Sequence, residues 1–315
     1  MRFSSFLASL ALAVLAAVLT GAAAGYNDAP VIGIFAQPLA KDPEYQYLAA
    51  SYVKWLESAG ARVVPIPYNY PIADMTTLFS RINGLLLPGG GAELPKVVSH
   101  ALSLAEEANA NGDYFPVWGT CMGFQWVSMH FARNHSLLTA HKLQNTSVAL
   151  DFTGLERKSR LFGGMTADQR GIFSSKALAV TMNNHNWGVS TTSFDRSELA
   201  KSFRLLSTNI DVDGGQFVST IEHATWPVYA VQWHPEKNNF EWSRDEDGTF
   251  HEAIAHSAEA VWASQQMANF FVNETRNNGH KFPHEEEHKA LIYNYNPTYT
   301  ADSFVQRYIF PWVTK

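Results

Sequence analysis

A single cysteine among 315 residues excludes any internal disulfide, so the fold rests on its core rather than on covalent staples. A dense basic stripe is also missing. Lys and Arg number 23 against 29 Asp and Glu, and the formal charge of −6 argues against a nucleic-acid ligand. Beyond the first two dozen residues no apolar run is long enough to cross a bilayer. Internal repeats, low-complexity tracts and linkers are absent as well. What remains is ordinary globular composition, 46% hydrophobic and 17% charged, with length enough for one large α/β domain.

The chain opens Met1-Arg2-Phe3, runs apolar from Phe6 to about Leu19, and ends that stretch with Gly21-Ala22-Ala23-Ala24-Gly25. A positive start, an apolar middle and an A-x-A end predict a secretory signal peptide over residues 1–24, with one domain over 25–315. An uncleaved membrane anchor is the alternative, and the small-residue end speaks against it. Three N-x-S/T sequons, at Asn134, Asn145 and Asn273, fit passage through the secretory pathway and glycosylation there. A free thiol retained in that pathway suggests a thiol that is used.

Apolar runs at residues 31–35, 62–66 and 85–87 read as strands. Residues 45–59, 75–82 and 94–110 have helical periodicity or composition, and Gly60 stands where a helix C-cap belongs. Strands alternating with helices predict a doubly wound, mostly parallel central sheet with helices on both faces, an α/β three-layer fold. From 147 to 221 short strand-like runs, such as 177–182 and 203–207, alternate with polar turns and read as antiparallel. Residues 227–233 form another buried strand and 256–277 a long helix. The tail from Lys289 is aromatic but shows no clear period.

Cys121 stands in Trp118-Gly119-Thr120-Cys121-Met122-Gly123-Phe124-Gln125, with glycine two residues away on either side. G-x-C-x-G is the thiol form of the nucleophile elbow, a strained strand-to-helix turn that needs small neighbours. An apolar run, 114–118, precedes it and a helix-like run, 124–133, follows. A buried, inert cysteine is the plainer alternative. A thiol nucleophile needs a base, and the base an orienter. His234 and Glu236, two apart at the end of an apolar strand and stiffened by Pro235, fit those two roles, since residues i and i+2 of extended backbone point the same way. The oxyanion formed by attack needs backbone donors. Met122 N–H is one by analogy with other elbows. A second is expected from Gly90 or Gly91 in Pro88-Gly89-Gly90-Gly91, a run that lacks the continuation of a phosphate loop. His185, in the donor-rich Asn183-Asn184-His185-Asn186-Trp187-Gly188, reads on its own as a loop histidine. His130, His135 and His141 show no metal-ligand spacing, and Glu285-Glu286-Glu287 reads as a solvated face.

G-x-C-x-G-x-Q with a later strand and H-P-E resembles the class I glutamine amidotransferase superfamily. The segments 52–65, 82–85, 113–121, 228–237 and 290–293 resemble more closely the gamma-glutamyl hydrolase family. That resemblance implies Cys121 as nucleophile, His234 as proton carrier, Glu236 as its orienter and His185 as a substrate contact. It implies cleavage of folyl-poly-γ-glutamates by a cysteine peptidase with no metal or organic cofactor. It also implies a secreted, lysosomal or vacuolar setting, no membrane or nucleic-acid partner, and a homodimer as one assembly open to the chain. Gln125 departs from the acidic residue usual there in the hydrolases. The substrate's α-carboxylates are expected to meet Lys or Arg near the cleft. A glutaminase acting on small γ-glutamyl amides, or a binding protein of the same fold, are the competing readings.

Overall fold

The computed structural model describes residues 26–42, 44–300 and 304–313; the expected leader, 1–24, lies outside them. In chain order the strands are β1 (Val31–Phe35), β2 (Gln37–Pro38), β3 (Tyr45–Ala49), β4 (Arg62–Ile66), β5 (Gly84–Leu87), β6 (Val117–Thr120) and β7 (Thr139–Val148), followed by β8 (Asp151–Phe152), β9 (Thr181–Gly188), β10 (Phe203–Ile210), β11 (Gln216–His223), β12 (Val228–Val231), β13 (Thr298–Tyr299) and β14 (Gln306–Pro311).

The main sheet has the order β4-β1-β5-β6-β12-β11-β10-β8. Its first five strands are parallel, and the last three continue it antiparallel. The parallel strands are buried on both faces, which is why they read as unbroken apolar runs rather than alternating ones. Successive residues go to opposite cores. Val31, Phe35, Leu85, Leu87, Val117, Val228 and Ala230 share one cluster with the helices Ile72–Phe79, Lys96–Ala110 and Met122–Phe131. Ile32, Ile34, Leu86, Trp118, Tyr229 and Val231 share the other with the helices Ala50–Ser58 and Ala258–Thr275. The expected three-layer architecture is what forms.

Several local readings change, among them the helix expected over 75–82, which spans Ile72–Phe79. Residues 45–49 are not the start of a helix: they form β3, paired residue for residue with β14. The spacing Tyr45, Leu48, Ala49 does not decide between the two states, and a partner some 260 positions away does. The same pairing gives the aperiodic tail its strand, with Tyr308 and Phe310 turned inward. Residues 177–182 extend only from Thr181, after a turn in which Ala179 has φ +43°. The helix expected from Leu94 begins at Lys96, after Pro95. Gly60 does cap its helix: at φ +89° its N–H donates to Glu57 O while Ala61 N–H reaches back to Leu56 O.

Candidate active site

Cys121 lies between the end of β6 and the helix Met122–Phe131, at φ +53° and ψ −105°. That conformation costs an L-residue of order 1–3 kcal/mol and persists only where its surroundings enforce it. The enforcing bonds are Cys121 N–H to Val231 O at 2.8 Å, Gly123 N–H to Pro88 O at 3.0 Å and Gln125 N–H to Cys121 O at 3.0 Å. Both flanking glycines are sterically required. A Cβ on Gly119 would stand 2.6 Å from Gly123 O, and one on Gly123 would stand 2.0 Å from Leu87 O.

β12 runs parallel beside β6, so the residues that follow the two strands meet at one edge of the sheet. Cys121 follows β6, and His234 follows β12. His234 Nδ1–H donates to Glu236 Oε1 at 2.7 Å. The pairing does not come from extended backbone, as the i, i+2 argument supposed. Pro235 and Glu236 form a turn, with Glu236 at φ −72° and ψ −18°, and the turn folds the carboxylate back onto the ring. The imidazole and the thiol flank one point: a Cβ on Gly89 would stand 2.6 Å from His234 Cε1 and 3.3 Å from Cys121 Cβ. Burial alone would lower the His234 pKa, but the negative charges of Glu236 and Cys121 outweigh it and raise the value to about 10.

A cleft of about 740 Å³ opens over the thiol, lined by Gly90, Gly91, Met122, Gln125, Asn184 and His185 among others. Met122 is the first residue of its helix, so its N–H has no intrahelical acceptor and is available at the cleft. Gly90 is tightly enclosed, with Gln37 Oε1 2.9 Å and Met122 Cε 3.0 Å from where its Cβ would be, whereas Gly91 has open space. The neighbouring Gly89 is committed elsewhere: its N–H donates to the Tyr52 hydroxyl at 2.8 Å. His185 donates Nδ1–H to His141 O at 2.9 Å, which leaves Nε2 as its acceptor. Burial, with the nearby His234 and His141, lowers its pKa to about 4, so the ring is neutral at pH 5 and above.

The Lys or Arg expected near the cleft do not line it. Among the described residues its lining carries neither; Gln125, Asn184, Asn186, His135 and backbone N–H groups supply the donors. The three sequon asparagines, Asn134, Asn145 and Asn273, are all exposed. Among the described residues no cluster of three or more His, Cys, Asp or Glu could hold a metal ion, and no helix is long and apolar enough to cross a membrane.

Tyr52 escapes sequence reasoning. Its hydroxyl lies 3.4 Å from His234 Nδ1 and accepts from Gly89 N–H, which ties the glycine loop to the imidazole. Burial, reinforced by Glu236 and Cys121, holds its pKa well above the ordinary range, so it stays a neutral phenol. In the sequence it is one more aromatic on a helix, distinguished by nothing local. Glu252, which accepts from Asn184 Nδ2, is equally silent in the sequence.

The family described as glutamine amidotransferase class-I matches residues 44–265. Gamma-glutamyl hydrolase B of Dictyostelium discoideum is 43% identical over 288 residues, covering 87% of this chain and 80% of that protein. Gamma-glutamyl hydrolase of Homo sapiens is 42% identical over 294 residues, covering 89% of each. Gamma-glutamyl hydrolase 1 of Arabidopsis thaliana is 33% identical over 285 residues, covering 87% and 79%. With an elbow cysteine, a hydrogen-bonded histidine and carboxylate, and identity that runs nearly the length of the chain, the protein belongs to the gamma-glutamyl hydrolase family of the class-I glutamine amidotransferases.

Proposed function

We propose that the chain is a cysteine-type omega-peptidase that cleaves γ-glutamyl peptide bonds, with folyl-poly-γ-glutamates as substrates and Cys121, His234 and Glu236 as its triad. The observation that carries this reading is the buried thiol at φ +53°, beside a histidine that Glu236 holds at 2.7 Å, in the lining of a cleft. Cys121 attacks the γ-carbonyl. Met122 N–H and a glycine-loop N–H, Gly90 or Gly91, receive the oxyanion. His234 gives its proton to the leaving amine, and water then clears the thioester with His234 as base. His185 contacts the substrate as a neutral acceptor. The same reading places the enzyme, after removal of residues 1–24, in the secretory pathway, a lysosome or vacuole, glycosylated at one or more of its sequons, with a homodimer as its assembly.

Pteroyl penta-γ-glutamate and free glutamine, each incubated with the enzyme, test the substrate assignment. The expected result is mass loss in whole glutamyl units from the first and little ammonia from the second. Ammonia release from glutamine with the pentaglutamate untouched would overturn it in favour of a glutaminase.

A second expectation concerns pH. The raised His234 pKa keeps the imidazolium present below about pH 10, beside the Cys121 sulfur. Alkylation of Cys121 by iodoacetamide should therefore persist from pH 7 to pH 5. A free thiol, with pKa about 8.5, would slow about tenfold per unit over that range. A tenfold loss per unit in this protein would remove the ion pair from the mechanism.

A further inference from the structure

Glu252 is a buried carboxylate that the chemistry above leaves unused. Its Oε1 accepts from Asn184 Nδ2 and from Lys237 Nζ, both at 2.7 Å, and its Oε2 accepts from Lys237 Nζ at 2.5 Å. Lys237 is 2% and Glu252 7% exposed. A buried ion pair often fails to repay its desolvation, so stability alone gives weak grounds for it. Its location gives better ones. Lys237 directly follows Glu236. Asn184 directly precedes His185, and its carbonyl lies 3.9 Å from Cys121 Sγ. One carboxylate thus ties the turn that carries the imidazole and its orienter to the wall that faces the thiol.

That wall has a particular need of ties. It belongs to β9, which pairs with β7 in a separate two-stranded sheet rather than in the main sheet. The segment carrying Glu252 is itself anchored at both ends of this junction. Ala253 N–H donates to Asn145 Oδ1 at 2.5 Å and its carbonyl accepts from Ser147 Oγ at 2.7 Å, both on β7. Ala255 O accepts from Asn238 Nδ2 at 2.8 Å, just beyond Lys237.

We propose that Glu252 is a positioning residue for γ-glutamyl cleavage: through Asn184 and Lys237 it sets the distance between the Asn184–Asn186 wall and the Cys121–His234 pair. The inference rests on the proposed function for its kinetic readout, but it predicts a change at the thiol that needs no substrate.

The test is a polarity swap. Asn184→Asp places two carboxylates at a 2.7 Å contact and breaks the tie. Adding Glu252→Gln restores an amide–carboxylate bond of reversed polarity with the wild-type net charge. In Asn184→Asp, kcat/KM on a γ-glutamyl substrate should fall about 10- to 100-fold, the scale expected for misplaced reacting groups. The rate of Cys121 alkylation should change with it. The double variant should return both to within about threefold of wild type, a rescue that simple loss of stability would not show. A loss that persists in the double variant, together with an Asn184→Ala enzyme that alkylates at the wild-type rate, would assign the effect to charge rather than to the tie and overturn the proposal, as would an Asn184→Asp enzyme with wild-type kinetics and alkylation. Should Asn184→Asp fail to fold, Asn184→Ala keeps the Glu252–Lys237 pair and cuts only the tie. A several-fold change in alkylation is then expected, and an unchanged rate overturns the proposal. If wild type cleaves no γ-glutamyl bond while the alkylation rates follow this pattern, the substrate assignment fails and the positioning role stands.

Discussion

Replacing Cys121 with serine should lower kcat/KM for γ-glutamyl cleavage by about 10⁴-fold or more while leaving the fold intact, the scale seen when the nucleophile of a triad is removed. Serine is nearly isosteric, so the 4%-exposed site is neither opened nor overfilled. The strained backbone at φ +53° is set by the bonds from Val231 O, Pro88 O and Gln125 N–H, which do not involve the side chain. The chemistry, however, does not carry over. The His234 pKa of about 10 is raised by Glu236 and by Cys121 itself, so the substitution also changes the base. A serine hydroxyl is a far weaker acid than a thiol and attacks only where a base takes its proton in the same step. Steady-state kinetics on a defined γ-glutamyl peptide, with thermal unfolding as the folding control, measures the loss. A serine variant retaining a tenth of wild-type activity would show that Cys121 is not the nucleophile.

The parts of this site that were legible in the sequence are those where one residue type has one physical reason to be where it is. Gly119 and Gly123 are there because backbone occupies the space of their Cβ atoms, and a G-x-C-x-G spacing states that directly. The five parallel strands were legible because burial on both faces leaves continuous apolar runs such as Leu85-Leu86-Leu87. What stayed hidden depends on partners distant in sequence. β3 takes its state from β14, and Tyr52 takes its role from Gly89 and His234, 37 and 182 positions away. Glu252 meets Asn184 across 68 positions, and no local pattern marks the carboxylate. The missing cations of the cleft belong with these cases. Composition counts 23 Lys and Arg but cannot say that Lys237, next to Glu236, is spent on the buried carboxylate of Glu252.

Gly123→Ala is the substitution expected to damage the protein most. Two effects oppose each other at this position. Alanine is the better helix former by about 0.5–1 kcal/mol, and Gly123 lies in the first turn of the helix Met122–Phe131. Against that, the new Cβ would stand 2.0 Å from Leu87 O and 2.6 Å from Leu87 C. Neither atom is the end of a flexible side chain. Both are backbone of β5, a central strand paired on one side with β1 and on the other with β6. Relief therefore requires the helix to move off the sheet, breaking the Gly123 N–H to Pro88 O bond and releasing the constraint on Cys121. The steric effect wins, at about 3 kcal/mol or more, the range reached by severe overpacking of a core. A chain of this size should then melt roughly 6–12 °C lower, and activity should fall further than stability, because the elbow is what the shift distorts. Gly164→Ala provides the comparison: its φ is −76° and nothing lies within 4 Å of the added Cβ, so its melting temperature should stay within about 2 °C of wild type. A Gly123→Ala protein that melts with wild type and keeps its turnover would mean that the helix does not press on β5 as described, and that the strain at Cys121 is held by something other than this contact.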